Sequence, residues 1–163
     1  SSVKYYYYSQ MKQSLKQAKY GDIILFYPNS FYSDLIRDID GSPYSHIATY
    51  LEFRDGYHWM LESTITKNGY VISKIREDWR NFDIFDTSKY AESLRPREEM
   101  MKLIDERPYD TGRIRDLFFY YLLRKQPPMS DASRLICAEA VNIQFNNIFG
   151  KNPTPRTIYE QVR

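Results

Sequence analysis

The hydrophobic pattern of the chain changes once, after residue 86, and this change limits the possible folds more than any other feature. Before it, most apolar residues stand in short runs separated by turn residues, as is typical of strands. After it, apolar residues recur every three to four positions, which predicts helices. Strands followed by helices, rather than strands alternating with helices, predict an α+β fold.

The runs from residue 46 to residue 85 are predicted to form an antiparallel meander, because short links join them. A helix is also expected on either side of the first strand. The length of 163 residues suits a single domain, 1–163, with one core. The expected strands are 22–27, 46–53, 57–64, 70–76 and 82–85, and the expected helices are 9–20, 30–40, 88–94, 96–104, one from 111, and 131–149.

Composition excludes several classes of protein. Lysine and arginine number 23 and aspartate and glutamate 21, with the two signs mixed, so no nucleic-acid-binding surface is evident. The longest apolar run, 117–123, is far shorter than the roughly 20 residues of a membrane span. A single cysteine excludes an internal disulfide and a cysteine-based zinc site. No glycine-rich phosphate loop is present, and neither a cofactor nor a metal is expected.

The single cysteine, Cys137, lies near the predicted start of the last helix. A lone cysteine is more often a small core residue than a nucleophile. Near a helix N-terminus, however, the helix dipole favours the thiolate, which is the reactive form of a thiol. The residue pattern leaves both interpretations open.

The chain has two histidines, His46 and His58, and either could be the base for such a thiol. A histidine in a strand is more often a packed or surface residue. Glu62 places a carboxylate inside a mostly apolar run, which is costly unless the carboxylate has a partner. Glu62 is therefore the candidate for orienting an imidazole, and His58 is the second candidate.

The link at residues 54–56 decides whether His46 and Glu62 share a face of the sheet. A three-residue loop places both on one face, whereas a loop of Asp55 and Gly56 alone places them on opposite faces. The longer loop also gathers the apolar residues on the other face, so we predict it. The predicted cross-strand pairs are His46–Thr64, Ala48–Glu62 and Glu52–His58.

Five short motifs occur in order along the chain, and a sixth follows them. They are Gly21-Asp22-Ile23-Ile24-Leu25, Ser45-His46-Ile47-Ala48, Leu61-Glu62-Ser63-Thr64, Pro108-Tyr109-Asp110, Cys137-Ala138-Glu139 and Thr154-Pro155. In this order the chain resembles the circularly permuted NlpC/P60 branch of the papain-like cysteine hydrolases, which includes lecithin retinol acyltransferase-like enzymes and poxvirus proteins. The resemblance covers about residues 21–155. Ala138 and Ala48 stand where the family usually has Ser and Gly, and the segment between Asp110 and Cys137 is long.

The resemblance implies a permuted papain-like fold, in which the sheet packs against the helix of the nucleophile. It implies that Cys137 attacks a carbonyl carbon, that His46 takes the thiol proton, and that Glu62 orients the imidazole. Backbone N–H groups near the helix start, including that of Cys137, and the hydroxyl of Tyr109 would stabilise the oxyanion. We expect an accessible Cys137 thiol, on a helix that crosses the sheet over Ala48.

The expected function is a thiol hydrolase, similar to a peptidase or amidase, or an acyltransferase, acting on an amide, ester or thioester. The resemblance implies a peptide substrate, such as a cell-wall peptide, or a lipid-acyl substrate. A second interpretation is a viral structural or interaction module, for instance in a virion, that keeps the triad with little turnover, because residues 62–64 and 67–69 resemble the viral members most. The absence of a signal-peptide pattern leads us to expect a soluble protein in the cytoplasm or a virion. The sequence leaves the oligomeric state open.

Overall fold

A computed structural model of the chain describes residues 12–27, 44–64, 67–76, 81–105 and 129–163. In these residues, six strands form one antiparallel sheet in the order β1-β6-β2-β3-β4-β5. Together with three helices, the sheet makes an α+β protein, as predicted. The strands are β1 Lys12–Gln13, β2 Ile23–Phe26, β3 His46–Arg54, β4 Tyr57–Thr64, β5 Lys67–Ile75 and β6 Phe82–Phe85, and the helices are α1 Arg97–Asp105, α2 Met129–Gln144 and α3 Pro155–Val162.

The five predicted strands are confirmed, but the predicted meander is wrong for the last of them, because β6 pairs with β2 and only β3, β4 and β5 follow one another in the sheet. The predicted helices are only partly confirmed. The helix expected at 9–20 is wrong, because residues 12–13 pair with β6 and a 3₁₀ turn, Leu15–Gln17, follows. At 88–94 the structure has a shorter 3₁₀ turn, Ser88–Tyr90. Helix α3 was not predicted, although Thr154 caps it and a proline occupies its first turn, a common helix-start signal. The helices expected at 30–40 and from 111 lie outside the described residues.

Successive strand residues point to opposite sides of the sheet, so the sheet has two faces. Other parts of the chain pack on each of them. One face, here called the helix face, carries Ile23 and Ile47 and packs against α2 and α3. The other, here called the second face, carries Ile24 and Ala48. Partly buried residues of the segment that follows β1, Leu15 and Ala18, pack against it.

The prediction that the helix of Cys137 crosses the sheet over Ala48 is wrong. Ala48 lies on the second face, in a buried cluster with Ile24 and Met60. Cys137 belongs to the cluster on the helix face, where α2 packs. His46 is the first residue of β3, so its ring lies at the end of the strand and can meet the thiol without a helix above Ala48.

The turn between β3 and β4 has two residues, Asp55 and Gly56, so the predicted three-residue loop is wrong. Both residues have positive φ, 54° and 82°, which is the type I′ geometry that matches the twist of a hairpin. Glu52 consequently does not pair with His58 as predicted. The pairs next to the turn are Arg54–Tyr57, Phe53–His58 and Glu52–Trp59.

A β-bulge at Leu51 cancels the effect of the shorter turn. The register shifts by one residue between Tyr50 and Glu52, which leaves Leu51 as the extra residue. A shift of one residue exchanges the two faces of a strand, so the bulge returns Glu62 to the face of His46. The pairs beyond the bulge are those that the three-residue loop predicted, Tyr50–Met60 and Thr49–Leu61.

Asp22 anchors the start of β2. Its side chain is fully buried, and its carboxylate accepts hydrogen bonds from the backbone N–H groups of Lys19 (2.9 Å) and Thr87 (3.1 Å). The Lys19 ammonium (2.8 Å) and the Gln13 amide (2.5 Å) donate to the same carboxylate. The backbone N–H of Tyr50, beside the bulge, donates to the Asp22 carbonyl at 2.8 Å. The aspartate therefore ties β2 to β3 and to the segment after β6.

Candidate functional site

His46 and Glu62 are joined by a hydrogen bond between their side chains. Nε2 of His46 lies 3.0 Å from Oε2 of Glu62. The two side chains are 24% and 15% exposed, so water reaches the pair only in part. The bulge in β3 makes the contact possible, because it places both residues on the second face.

Cys137 is the third predicted site residue, and the structure brings it to the same imidazole. Its thiol makes a side-chain hydrogen bond with His46. The thiol is completely buried, in the cluster that also holds Ile23 and Ile47. The expectation of an accessible thiol is therefore not met in this structure, because packing of α2 on the helix face covers the sulfur.

Burial and two partners together set the charge state of His46. Burial acts to lower the pKa of His46, because it penalises the charged imidazolium. The charge of Cys137 and its hydrogen bond, with those of Glu62, outweigh burial and raise the pKa of His46 to about 10. The imidazole of His46 thus lies between a sulfur and a carboxylate, and both favour its protonated form.

The position of Cys137 in its helix differs from the expectation. Helix α2 begins at Met129, so Cys137 lies in the third turn and not within the first two. In a continuous helix its backbone N–H donates to the carbonyl four residues earlier and is not available to an oxyanion. The thiol is also more than one turn away from the positive end of the helix dipole. The contact with His46, and not the helix terminus, is what distinguishes this cysteine.

His58, the second candidate for orienting His46, does not join the cluster. Nδ1 of His58 lies 2.7 Å from the hydroxyl of Tyr50, so this second candidate for orienting His46 contacts a tyrosine. Tyr109 lies outside the described residues, and its predicted role stays a prediction. The structure thus brings together Cys137, His46 and Glu62.

Two neighbours of the pair were missed by the sequence reasoning. The hydroxyl of Ser73 donates to Oε1 of Glu62 at 2.9 Å, and the ring of Phe26 lies 5.5 Å from that of His46. Phe26 is paired with His46 across β2 and β3. The strand that carries Ser73 begins at Lys67, three residues before the predicted start at residue 70.

The described part of the chain offers three further observations. A cavity of about 510 Å³ borders Tyr50, Phe53 and His58, and none of the three clustered residues lines it. Among the described residues no group of three His, Cys, Asp or Glu side chains could hold a metal ion. No helix in that part of the chain is long and apolar enough to cross a membrane.

Comparison with known proteins gives no relative: no family model, no curated protein and no solved structure matches the chain. The resemblance to permuted NlpC/P60 proteins therefore rests on the six motifs quoted above.

Proposed function

We propose that the chain is a cysteine hydrolase or acyltransferase of the permuted papain-like type, which acts on an amide, ester or thioester. The observation that carries the proposal is a single imidazole, that of His46, in contact with both a thiol and a carboxylate. Cysteine, histidine and glutamate in this arrangement form the nucleophile, base and orienting residue, respectively, of a thiol hydrolase.

In the proposed reaction the Cys137 proton passes to His46, and the sulfur attacks the carbonyl carbon of the substrate. The tetrahedral intermediate collapses to a thioester on Cys137, and the leaving amine, alcohol or thiol takes the proton from His46. Water, or an acceptor hydroxyl or amine, then attacks the thioester with His46 as base. This step releases the acyl product and returns the proton to the sulfur. Glu62 holds the imidazole in one orientation throughout.

A second candidate is an interaction or structural module that keeps these residues with little turnover. The observation that favours it is the complete burial of Cys137. A carbonyl carbon must come to about 3–3.5 Å from the sulfur before attack. Turnover therefore requires that the packing over Cys137 opens, and a chain that never opens would hold the three residues as a buried polar cluster.

The experiment that separates the two is alkylation of the folded protein by iodoacetamide near pH 6, followed by intact-mass analysis. The hydrolase proposal expects Cys137 to be labelled in the folded state, because contact with a protonated His46 favours the thiolate. His46→Ala should slow labelling by about tenfold or more. His58→Gln is the matched control, because it removes the histidine that contacts Tyr50, and labelling should be unchanged.

Incubation with p-nitrophenyl acetate tests the chemistry itself. The hydrolase proposal expects transient acetylation of the protein that disappears in Cys137→Ala. If Cys137 is labelled only in denaturant and no acetyl-enzyme forms, the hydrolase proposal is wrong and the module interpretation replaces it.

A further inference from the structure

We propose that Ser73 is a positioning residue of the site, which holds the Glu62 carboxylate in the orientation that serves His46. The two carboxylate oxygens have separate partners: Oε2 contacts Nε2 of His46 at 3.0 Å, and Oε1 accepts from the Ser73 hydroxyl at 2.9 Å. The role in catalysis rests on the proposed function, whereas the role in fixing Glu62 does not.

The register between β4 and β5 places the Ser73 hydroxyl beside the Glu62 carboxylate. Met60 pairs with Ser73 and Glu62 pairs with Val71, so Glu62 and Ser73 are diagonal neighbours on one face. Diagonal neighbours lie within reach of a long side chain such as glutamate. The serine thus belongs to the site through β5, the strand on the far side of β4 from His46.

A carboxylate needs such a contact because its last torsion is broad and roughly two-fold. With one oxygen held by Ser73, rotation that would take the other oxygen away from His46 breaks a hydrogen bond. Ser73 therefore acts on the imidazole through Glu62.

The test is a pH titration of the His46 ring by NMR in Ser73→Ala, Ser73→Thr and Ser63→Ala. Ser73→Ala should lower the pKa of His46 from its value of about 10, because Glu62 is no longer held against the ring. Ser73→Thr should restore it, because threonine keeps the hydroxyl and suits a strand. Ser63→Ala is the matched control, since the Ser63 hydroxyl is buried and has no hydrogen-bond partner in the described residues.

Alkylation of Cys137 is the second measurement, and Ser73→Ala should slow it by about three- to tenfold, the effect of one ordinary hydrogen bond. An unchanged or raised pKa of His46 in Ser73→Ala would overturn the inference, as would failure of Ser73→Thr to restore the wild-type value. If the wild-type thiol is inert while Ser73→Ala still lowers the pKa of His46, the proposed function fails and the positioning of Glu62 stands.

Discussion

Replacement of Asp22 by alanine should destabilise the protein by about 3 kcal/mol. Asp22 is fully buried, and its carboxylate is the acceptor for two backbone N–H groups, those of Lys19 and Thr87. Alanine removes this acceptor and leaves both donors in place. The loss is therefore that of unsatisfied donors and not of a surface ion pair.

The magnitude follows from how far each donor is from water. A buried donor without a partner costs about 1–3 kcal/mol, and Thr87, which is buried, should contribute in the upper part of that range. Lys19 is exposed, so water can replace part of its lost bond. Its ammonium group is half exposed, and the ion pair with Asp22 adds less than about 1 kcal/mol. These contributions together give the estimate above, a large share of the 5–15 kcal/mol typical of a domain.

The assay is equilibrium unfolding in urea, followed by tryptophan fluorescence. Asp86→Ala is the matched control, because Asp86 pairs with the same Lys19 ammonium at 2.6 Å but its side chain is 57% exposed. The control should lose less than about 1 kcal/mol. Equal losses in the two variants would refute the argument, since they would mean that the N–H donors of Lys19 and Thr87 find other partners.

Two further predictions concern backbone strain and pH. Gly21 and Gly56 both have positive φ, 89° and 82°, but a Cβ at Gly21 would collide with Leu94 and one at Gly56 would meet nothing within 4 Å. In urea unfolding, Gly56→Ala should cost about 1 kcal/mol and Gly21→Ala at least about twice that, and equal losses would contradict the collision. The pKa of His46 is raised from 6.5 to about 10, so its stabilising contribution is complete below pH 6.5 and is lost as the pH rises through 10. The difference in unfolding free energy between wild type and His46→Gln should shrink over that range, and a constant difference would contradict the raised pKa.

The sequence was enough to bring Cys137, His46 and Glu62 together as candidates, because residue chemistry and motif order select them without knowledge of packing. It could not give the burial of the thiol, which depends on which face of the sheet α2 covers. Nor could it give Ser73, because the contact with Glu62 depends on the register between β4 and β5. Candidate residues that are recognised by their chemical type and their order in the chain could be predicted. Features that depend on packing and on strand register could not.

The hairpin shows why a correct contact was predicted from an incorrect turn. The length of the loop alone fixes the face of Glu62 only where the two strands pair without interruption from the turn to Glu62. The structure has the shorter type I′ turn and an extra residue at Leu51. The turn and the bulge each shift the strand register by one residue, and the two shifts cancel. Asp55 and Gly56 adopt the two-residue turn that Asp-Gly prefers. At the other end of the hairpin, Ile47 and Ala48 are each buried on their own face of the sheet. A bulge lets the turn and the packing each be satisfied at its own end of the hairpin. The bulge at Leu51 does not disturb the pairing of β3 with β2, because those pairs end at Thr49.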